Sequence, residues 1–200
     1  MPTRQHIRFH FDPLCPWAWE GSKWIREAAK VRGLDVDWRL FSLEVINEDK
    51  DDPLADEHAK GTPALRALAL VRREAGSDAV GEVYRAIGER THDGDQELTP
   101  DTVRAALEDA GLAAALVDRA LGDESTIEAV RTEHDDAVSE VGAFGVPTIV
   151  CESGRGIFGP VVSRAPLGEE AGELWDHVSA LAELDDFFEL KRERDRSPGL

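Results

Sequence analysis

Residues 5–33 read QHIRFHFDPLCPWAWEGSKWIREAAKVRG and decide how the fold begins. Ile7, Phe9 and Phe11 alternate with polar and charged residues. An alternation of period two predicts a strand with one apolar face. Pro16 suits a first helical turn, and apolar residues at near-helical spacing follow it until a glycine ends the pattern. The stretch therefore predicts a strand that passes directly into a helix.

The following residues complete a crossover and then become helical. A second strand is predicted from Val36 to Leu43, and the helix before it is long enough for a parallel connection. Residues 48–62 are polar and are expected to form a loop. Residues 63–141 have helical patterns and no predicted strand. The chain therefore starts with a β-α-β unit and continues with a block of helices.

Two helices of this block have boundary signals. Thr99 and Pro100 predict an N-cap and a first-turn proline, and Gly111 is expected to close the same helix. Ser125 and Glu128 have the spacing of a capping box. That spacing predicts the start of the last helix in the block.

Strands return near the end of the chain. Residues 147–151 and 157–162 are short apolar runs on either side of a turn, which predicts a hairpin. Residues 169–184 have apolar side chains at helical spacing and form the predicted closing helix. The order β-α-β, helices, β-β-α is that of an α/β, thioredoxin-like fold with an inserted all-helical domain.

The predicted domains follow from this order. Residues 1–47 and 142–190 form the thioredoxin-like domain, and residues 48–141 form the inserted helical domain. Residues 191–200 read KRERDRSPGL and are expected to be a flexible tail, because charged chain ends fray.

Composition restricts the partners and the compartment. Acidic residues outnumber basic residues 41 to 23 among 200 residues, which gives a net charge of −18. This charge argues against nucleic acid and against an anionic membrane as partners. The chain has no bilayer-length apolar run, no signal-peptide pattern at its start and only two cysteines. A cytoplasmic location is therefore expected. The sequence does not decide the oligomeric state, and a dimer is one of the open alternatives.

Cys15 carries the clearest chemical signal, because it lies where the first strand ends and the first helix begins. Backbone N–H groups and the positive end of the helix dipole stabilise a thiolate at such a position and lower the pKa of the thiol. We therefore expect a partly exposed nucleophile. The alternative is a cysteine buried as a small apolar side chain.

The bond between Val146 and Pro147 is the second signal. In a thioredoxin order, a proline just before a late strand is expected to form a cis bond in a loop that faces Cys15. Cys151 lies four residues further on, about 13 Å along an extended strand, which is too far for a disulfide with Cys15. Cys151 is therefore interpreted as a buried strand residue.

The histidines carry weaker signals. His92 either faces the cysteine from the helical block or is a solvated loop residue. His134 lies on an apolar helix face, which is more typical of packing than of catalysis. No Cys/His pair has zinc spacing and no nucleotide-binding motif is present, so neither a metal site nor a tightly bound cofactor is expected.

The stretch DPLCPWAW at residues 12–19 resembles the active-site stretch of the DsbA-like thioredoxin family, and more closely that of its actinobacterial, mycothiol-dependent nitroreductase branch. Residues 42–47, 142–148 and 158–176 resemble the same branch. The resemblance implies a cytoplasmic, thiol-dependent oxidoreductase that acts on disulfides or nitro compounds. Mycothiol or another low-molecular-weight thiol would be the cosubstrate, and a small molecule the substrate.

These signals together give a set of expected site residues. Cys15 is the expected nucleophile, and the backbone of the proline loop is expected to lie beside the incoming sulfur. The expected binding residues are Pro16, Trp17, Asn47, His92, Val146 and Pro147.

Ala18 departs from the pattern of this branch. The characterised nitroreductase has a Cys-Pro-Trp-Cys motif, and Ala18 takes the place of the second cysteine. The motif cannot form an internal disulfide, but a single thiol can attack a disulfide and a second thiol can resolve the product. Two alternatives stay open. One is an isomerase or transferase that uses a thiol cofactor without net redox change, as in the chromene-carboxylate isomerase group. The other is a non-catalytic binding protein.

Overall fold

The alternating start of the chain forms an inner strand of a four-stranded sheet. The computed structural model describes residues 5–51 and 53–199. The sheet has the order β2-β1-β3-β4, in which β1 and β2 are parallel and the other neighbours are antiparallel. The four strands are β1 (His6–Phe11), β2 (Asp35–Leu40), β3 (Thr148–Val150) and β4 (Gly156–Phe158).

Helices connect and cover these strands. In chain order they are α1 (Pro16–Arg32), α2 (Leu43–Asn47), α3 (Ala55–Ala59), α4 (Thr62–Thr91), α5 (Pro100–Asp109), α6 (Leu116–Gly122), α7 (Ser125–Val141) and α8 (Gly168–Ala182). Every strand lies outside the segment 48–141, and helices α3 to α7 lie within it. The mixed α/β architecture and the predicted element order are confirmed. Within the described part of the chain, no helix is long and apolar enough to cross a bilayer.

The apolar residues of β1 pack against helices α1 and α4. The rings of Phe11 and Tyr84 are stacked with their centroids 3.8 Å apart, and Trp38 of β2 lies against both rings. Helix α8 covers α1 from outside, where the indole of Trp24 donates to the carbonyl of Ala171 at 3.0 Å. The sheet, the first helix and the helical block therefore share one core.

The outer edge of β2 is bonded to side chains of the helical block. The N–H of Trp38 donates to Ser77 Oγ at 2.9 Å, and the N–H of Leu40 donates to Glu133 Oε2 at 2.7 Å. Two residues after Leu40, the N–H of Ser42 donates to His134 Nδ1 at 3.2 Å. His134 is buried and serves as a backbone partner. These bonds occupy the alternate N–H groups from Trp38 to Ser42.

Several predicted boundaries are wrong. The capping box at Ser125 and Glu128 does not form, because Ser125 is the first residue of α7 and its hydroxyl bonds Asp123 instead. The second strand ends at Leu40, and α2 follows where the strand was expected to continue. The polar residues 48–62 include the short helix α3.

Other boundaries are closer to the prediction. Thr99 caps α5 through a bond from Thr102 N, and the predicted proline follows it. Helix α5 ends at Asp109, two residues before Gly111, whose φ is 76°. The hairpin is present, with strands shorter than the apolar runs that predicted it.

Gly88 should be indispensable for the packing of α4 on α1. A Cβ at this position would lie 2.2 Å from Cε3 of Trp19, whereas nothing lies within 4 Å of a Cβ at Gly122. We expect Gly88→Ala to lower the free energy of unfolding by about 1–3 kcal/mol, because overpacking displaces a buried ring. Gly122→Ala should leave it unchanged or raise it by up to about 1 kcal/mol. Urea unfolding compares the two, and equal effects would contradict the packing argument.

Candidate active site

Cys15 is the N-cap residue of α1. Its backbone is extended, and its N–H donates to the carbonyl of Asp12 at 3.0 Å, so the chain turns sharply from β1 into the helix. The N–H of Ala18 donates to Cys15 Sγ at 3.4 Å. Pro16 follows at the first helical position, where a missing N–H costs nothing. The sulfur therefore occupies the position that the sequence indicates.

The protonation state of Cys15 differs from the prediction. The residue is only 9 % exposed, and this burial raises the pKa of its thiol to about 11. The N–H groups of Ala18 and Trp17 and the positive charge of Arg194 act in the opposite direction and do not offset the loss of water. The expected partly exposed thiolate is therefore wrong for this conformation, in which Cys15 is a buried thiol.

The proline loop faces the sulfur as predicted. The Val146–Pro147 bond is cis, and the thiol of Cys15 points at the carbonyl of Val146 with an Sγ–O distance of 3.8 Å. The close contact between the proline loop and α1 requires a small residue on α1. A Cβ at Gly21 would lie 3.3 Å from Cγ of Pro147. The loop and the helix therefore pack closely enough to place backbone beside the sulfur.

Asp12 organises the turn before the cysteine. Its carboxylate is fully buried and accepts hydrogen bonds from Leu14 N at 2.9 Å and from Leu43 N at 2.8 Å. Burial raises the pKa of Asp12 to about 6, and the two N–H donors lower it. The side chain thereby joins the turn to the start of α2. Sequence reasoning gave this residue no role, although an aspartate between an apolar strand and a proline is a usable signal.

His92 follows the last residue of α4 and contacts the same turn. Its Nε2 donates to the carbonyl of Pro13 at 2.9 Å, and its ring stacks on Trp19 with the centroids 6.3 Å apart. Burial lowers the pKa of His92, which favours the neutral ring. Of its two sequence interpretations, the structure supports the one in which it faces the active-site turn. Its contact is with backbone two residues before Cys15.

Asn47 is not brought to the sulfur by any contact within the described residues. Its amide donates to the carbonyl of Leu43 at 2.8 Å, and its Oδ1 accepts from Lys50 at 3.0 Å. It lines a surface cavity of about 350 Å³ together with Glu44, Glu48, Lys50, Asp51 and Ala55. A role for Asn47 in binding stays a prediction.

Trp17 and Pro16 form the outer surface of the site. Pro16 is exposed and Trp17 is half-buried. The guanidinium of Arg194 lies over the indole of Trp17, 5.1 Å from the ring centroid. The segment expected to be a flexible tail thus contacts this surface, and sequence reasoning had no signal for the contact.

A pair of exposed rings lies on the proline loop. Phe144 and Phe158 stack with their centroids 4.9 Å apart, although both are largely exposed. Phe158 is paired with Thr148 in the hairpin, directly after Pro147. This apolar surface, next to the loop that faces the sulfur, was missed because single phenylalanines near turns are uninformative in sequence.

Cys15 and Cys151 are both free thiols. Cys151 is buried beyond the end of β3, and burial raises its pKa to about 11 as well. Ala18 is fully buried beside Cys15 and offers no second sulfur. Among the residues of known placement, no cluster of three or more histidine, cysteine or acidic side chains could hold a metal ion. The site can therefore support the chemistry of one thiol.

Known structures share this architecture. The cytosolic disulfide reductase DsbM of Pseudomonas aeruginosa superposes with a TM-score of 0.61 at 15% identity, over 88% of this chain and 99% of that chain. The probable DsbA oxidoreductase of Streptomyces coelicolor superposes with a TM-score of 0.60 at 17% identity, over 96% of this chain and 95% of that chain. A 2-hydroxychromene-2-carboxylate isomerase superposes with a TM-score of 0.59 at 16% identity, over 88% of this chain and 94% of that chain. These similarities establish the DsbA-like thioredoxin fold.

Sequence comparison gives the family. The protein of Mycobacterium tuberculosis H37Rv called uncharacterized protein Rv2286c is 39% identical over 189 residues, which are 93% of this chain and 81% of that protein. A family model described as Rv2466c-like, mycothiol-dependent nitroreductase Rv2466c, matches residues 14–192. This match spans the cysteine turn, the helical block and the proline loop, and the chain therefore belongs to the Rv2466c-like family of mycothiol-dependent nitroreductases.

Proposed function

We propose that the protein is a monothiol oxidoreductase in which Cys15 exchanges with a disulfide and a low-molecular-weight thiol such as mycothiol restores it. The observation that carries the proposal is the position of Cys15 at the start of α1, 3.8 Å from the carbonyl before a cis proline. Ala18 in the motif makes the reaction depend on a second, external thiol. The family supports the use of thiols.

The proposed cycle has two exchange steps. The Cys15 thiolate attacks one sulfur of a substrate disulfide, an S–S bond forms to Cys15, and the other sulfur leaves as a thiolate. A mycothiol thiolate then attacks the mixed disulfide, releases Cys15 and forms a second disulfide that departs. One half of the substrate leaves as a thiol and the other half leaves as a mixed disulfide with mycothiol, while Cys15 returns to its starting state. A second mycothiol then reduces that mixed disulfide in solution, which releases the other half of the substrate as a thiol and forms mycothiol disulfide. Nitro compounds are the other proposed electron acceptors, and a cytoplasmic setting would keep the thiols reduced.

The surrounding residues have positioning roles in this proposal. The carbonyl of Val146 and the ring of Pro147 border the path of the incoming sulfur. Trp17 forms one wall of the entrance. His92 holds the turn through Pro13 and does not exchange a proton with the sulfur. Asn47 would contact the far end of a substrate that extends over α2.

A second candidate is supported by the same cysteine. A buried thiol with no partner cysteine is suited to holding a thiol cofactor while a substrate is isomerised, without any disulfide. That protein would bind the thiol and form no covalent adduct. A purely binding protein would neither form an adduct nor convert a substrate. The adduct experiment below separates the oxidoreductase from the other two.

The rate of Cys15 alkylation should rise steadily with pH. Because burial places the pKa of its thiol at about 11, the thiolate fraction grows about tenfold per pH unit from 7 to 9 and does not level off. The measurement is the rate of carbamidomethylation at Cys15, followed by peptide mapping, with Cys15→Ser as the blank. A plateau near neutral pH would show that the free protein already holds a thiolate.

Oxidation should add one thiol to each chain. On incubation with mycothiol disulfide, intact mass should increase by one mycothiol at Cys15, because Ala18 provides no internal resolving thiol. Cys151→Ser should behave like the natural protein, and Cys15→Ser should gain no mass. A loss of two hydrogens without an adduct would contradict a monothiol mechanism. No adduct at all would favour the isomerase or the binding protein.

Ala18→Cys should convert the site to a dithiol. The backbone N of residue 18 is 3.4 Å from Cys15 Sγ, so a sulfur one helical turn away can reach it. We expect an internal disulfide and at least about tenfold faster turnover with a thiol donor, because resolution becomes intramolecular. Ala18→Ser is the control, since it is similar in size and cannot bridge. Slower turnover of an oxidised Ala18→Cys protein would favour the isomerase.

A further inference from the structure

The C-terminal segment 191–199 returns to the cysteine face of the molecule. It has neither helix nor strand, and it is held near its end by a hydrogen bond from Gly199 N to the carbonyl of Ser163 at 2.7 Å. The loop that contains Ser163 is itself bound to α1, because Ala165 N donates to Glu20 Oε2 at 3.0 Å. This anchorage explains why Arg194 lies over Trp17.

The charge of this segment is opposite to that of the protein. Residues 191–196 read KRERDR, with four basic and two acidic side chains, in a chain whose net charge is −18. Arg196 is paired with its neighbour Asp195 at 2.9 Å. Arg194 has no ion pair or hydrogen bond to any residue that the structure describes, and its one specific contact is the face of Trp17. Its N–H donors are therefore available.

The charge of Arg194 also acts on the reactive sulfur. It is one of the influences that lower the pKa of Cys15, so the guanidinium lies within electrostatic reach of the thiol. A guanidinium that lies over an indole keeps N–H groups that the ring does not use. A free guanidinium edge forms paired hydrogen bonds with a carboxylate.

We propose that Arg194 is a specificity-determining residue that binds a carboxylate on the molecule that reacts at Cys15. The inference rests on the proposed function, because it takes Cys15 as the reacting atom. In a strongly acidic protein, an anionic substrate is repelled by most of the surface. An unpaired arginine over Trp17, two residues along the chain from Cys15, offers such a substrate a local site. The substrate class is then an anionic disulfide.

Two alkylating reagents of nearly equal size test this assignment. Iodoacetate carries a carboxylate and iodoacetamide is neutral. In both reactions the Cys15 thiolate displaces iodide and forms an S–C bond, so the ratio of the two rates removes any effect on thiol ionisation. The ratio would be measured for the natural protein, Arg194→Gln and Arg192→Gln, with Cys15 labelling read by peptide mapping. Arg192 is an exposed arginine of the same segment and serves as the matched control.

We expect Arg194→Gln to lower the ratio of the iodoacetate rate to the iodoacetamide rate about three- to tenfold, as one nearby charge does at a protein surface. Arg192→Gln should leave the ratio unchanged, and added salt should reduce the difference in ratio between the natural protein and Arg194→Gln. Equal changes for both reagents in Arg194→Gln would mean that the segment only covers Cys15, and would overturn the proposal. If neither rate changes in Arg194→Gln, the proposal is overturned too.

The result of the alkylation test can be told apart from the result of the adduct test of the proposed function. If mycothiol disulfide forms no adduct but the alkylation ratio still depends on Arg194, the exchange mechanism fails and the carboxylate site stands. If the adduct forms and the ratio is independent of Arg194, the mechanism stands and the carboxylate site fails.

Discussion

Strand β1 is fixed on both edges by other strands, and this constraint determines where the first helix begins. Its apolar side chains, Ile7, Phe9 and Phe11, have no exposed surface. A shift of one residue along the strand would turn all three away from the core. The turn after Phe11 therefore has a fixed origin, and Cys15 reaches the start of α1 with its sulfur toward the proline loop. The chemistry of the site depends on this register.

Two opposing effects act on the sulfur once it is there. The start of α1 supplies N–H donors that favour a thiolate, and the surrounding packing removes the water that a thiolate needs. Burial has the larger effect. The same balance applies at Asp12, where two backbone donors do not compensate for full burial and the pKa rises to about 6. Reactivity at Cys15 thus requires that an approaching substrate or a movement of the covering residues restores a polar environment.

Local patterns predicted most of the fold, and contacts between distant segments account for what they missed. Period-two alternation and the Thr99 cap each depend on a few neighbouring residues, and each is present in the structure. The cis bond before Pro147 was predicted from the order of the elements, and it is present as well. The pKa of Cys15 depends on what covers it, which no local pattern encodes. The contact between Trp17 and Arg194 joins residues 177 positions apart in the chain, counting from 17 to 194. The capping box at Ser125 does not form because the hydroxyl of Ser125 donates to the carboxylate of Asp123 instead.

The side chains along the outer edge of β2 have a consequence for self-association. A strand with free N–H groups is a template on which another chain can add, and this is how many β-proteins form fibrils or exchange segments. Ser77, Glu133 and His134 accept from the N–H groups of Trp38, Leu40 and Ser42 on that edge, and all three lie in segment 48–141. Segment 48–141 therefore protects this part of the sheet edge from pairing with another strand, and a shortened protein without the segment would expose these N–H groups. Because the bond at His134 needs an unprotonated ring, acidification would break this bond at the Ser42 end of the edge.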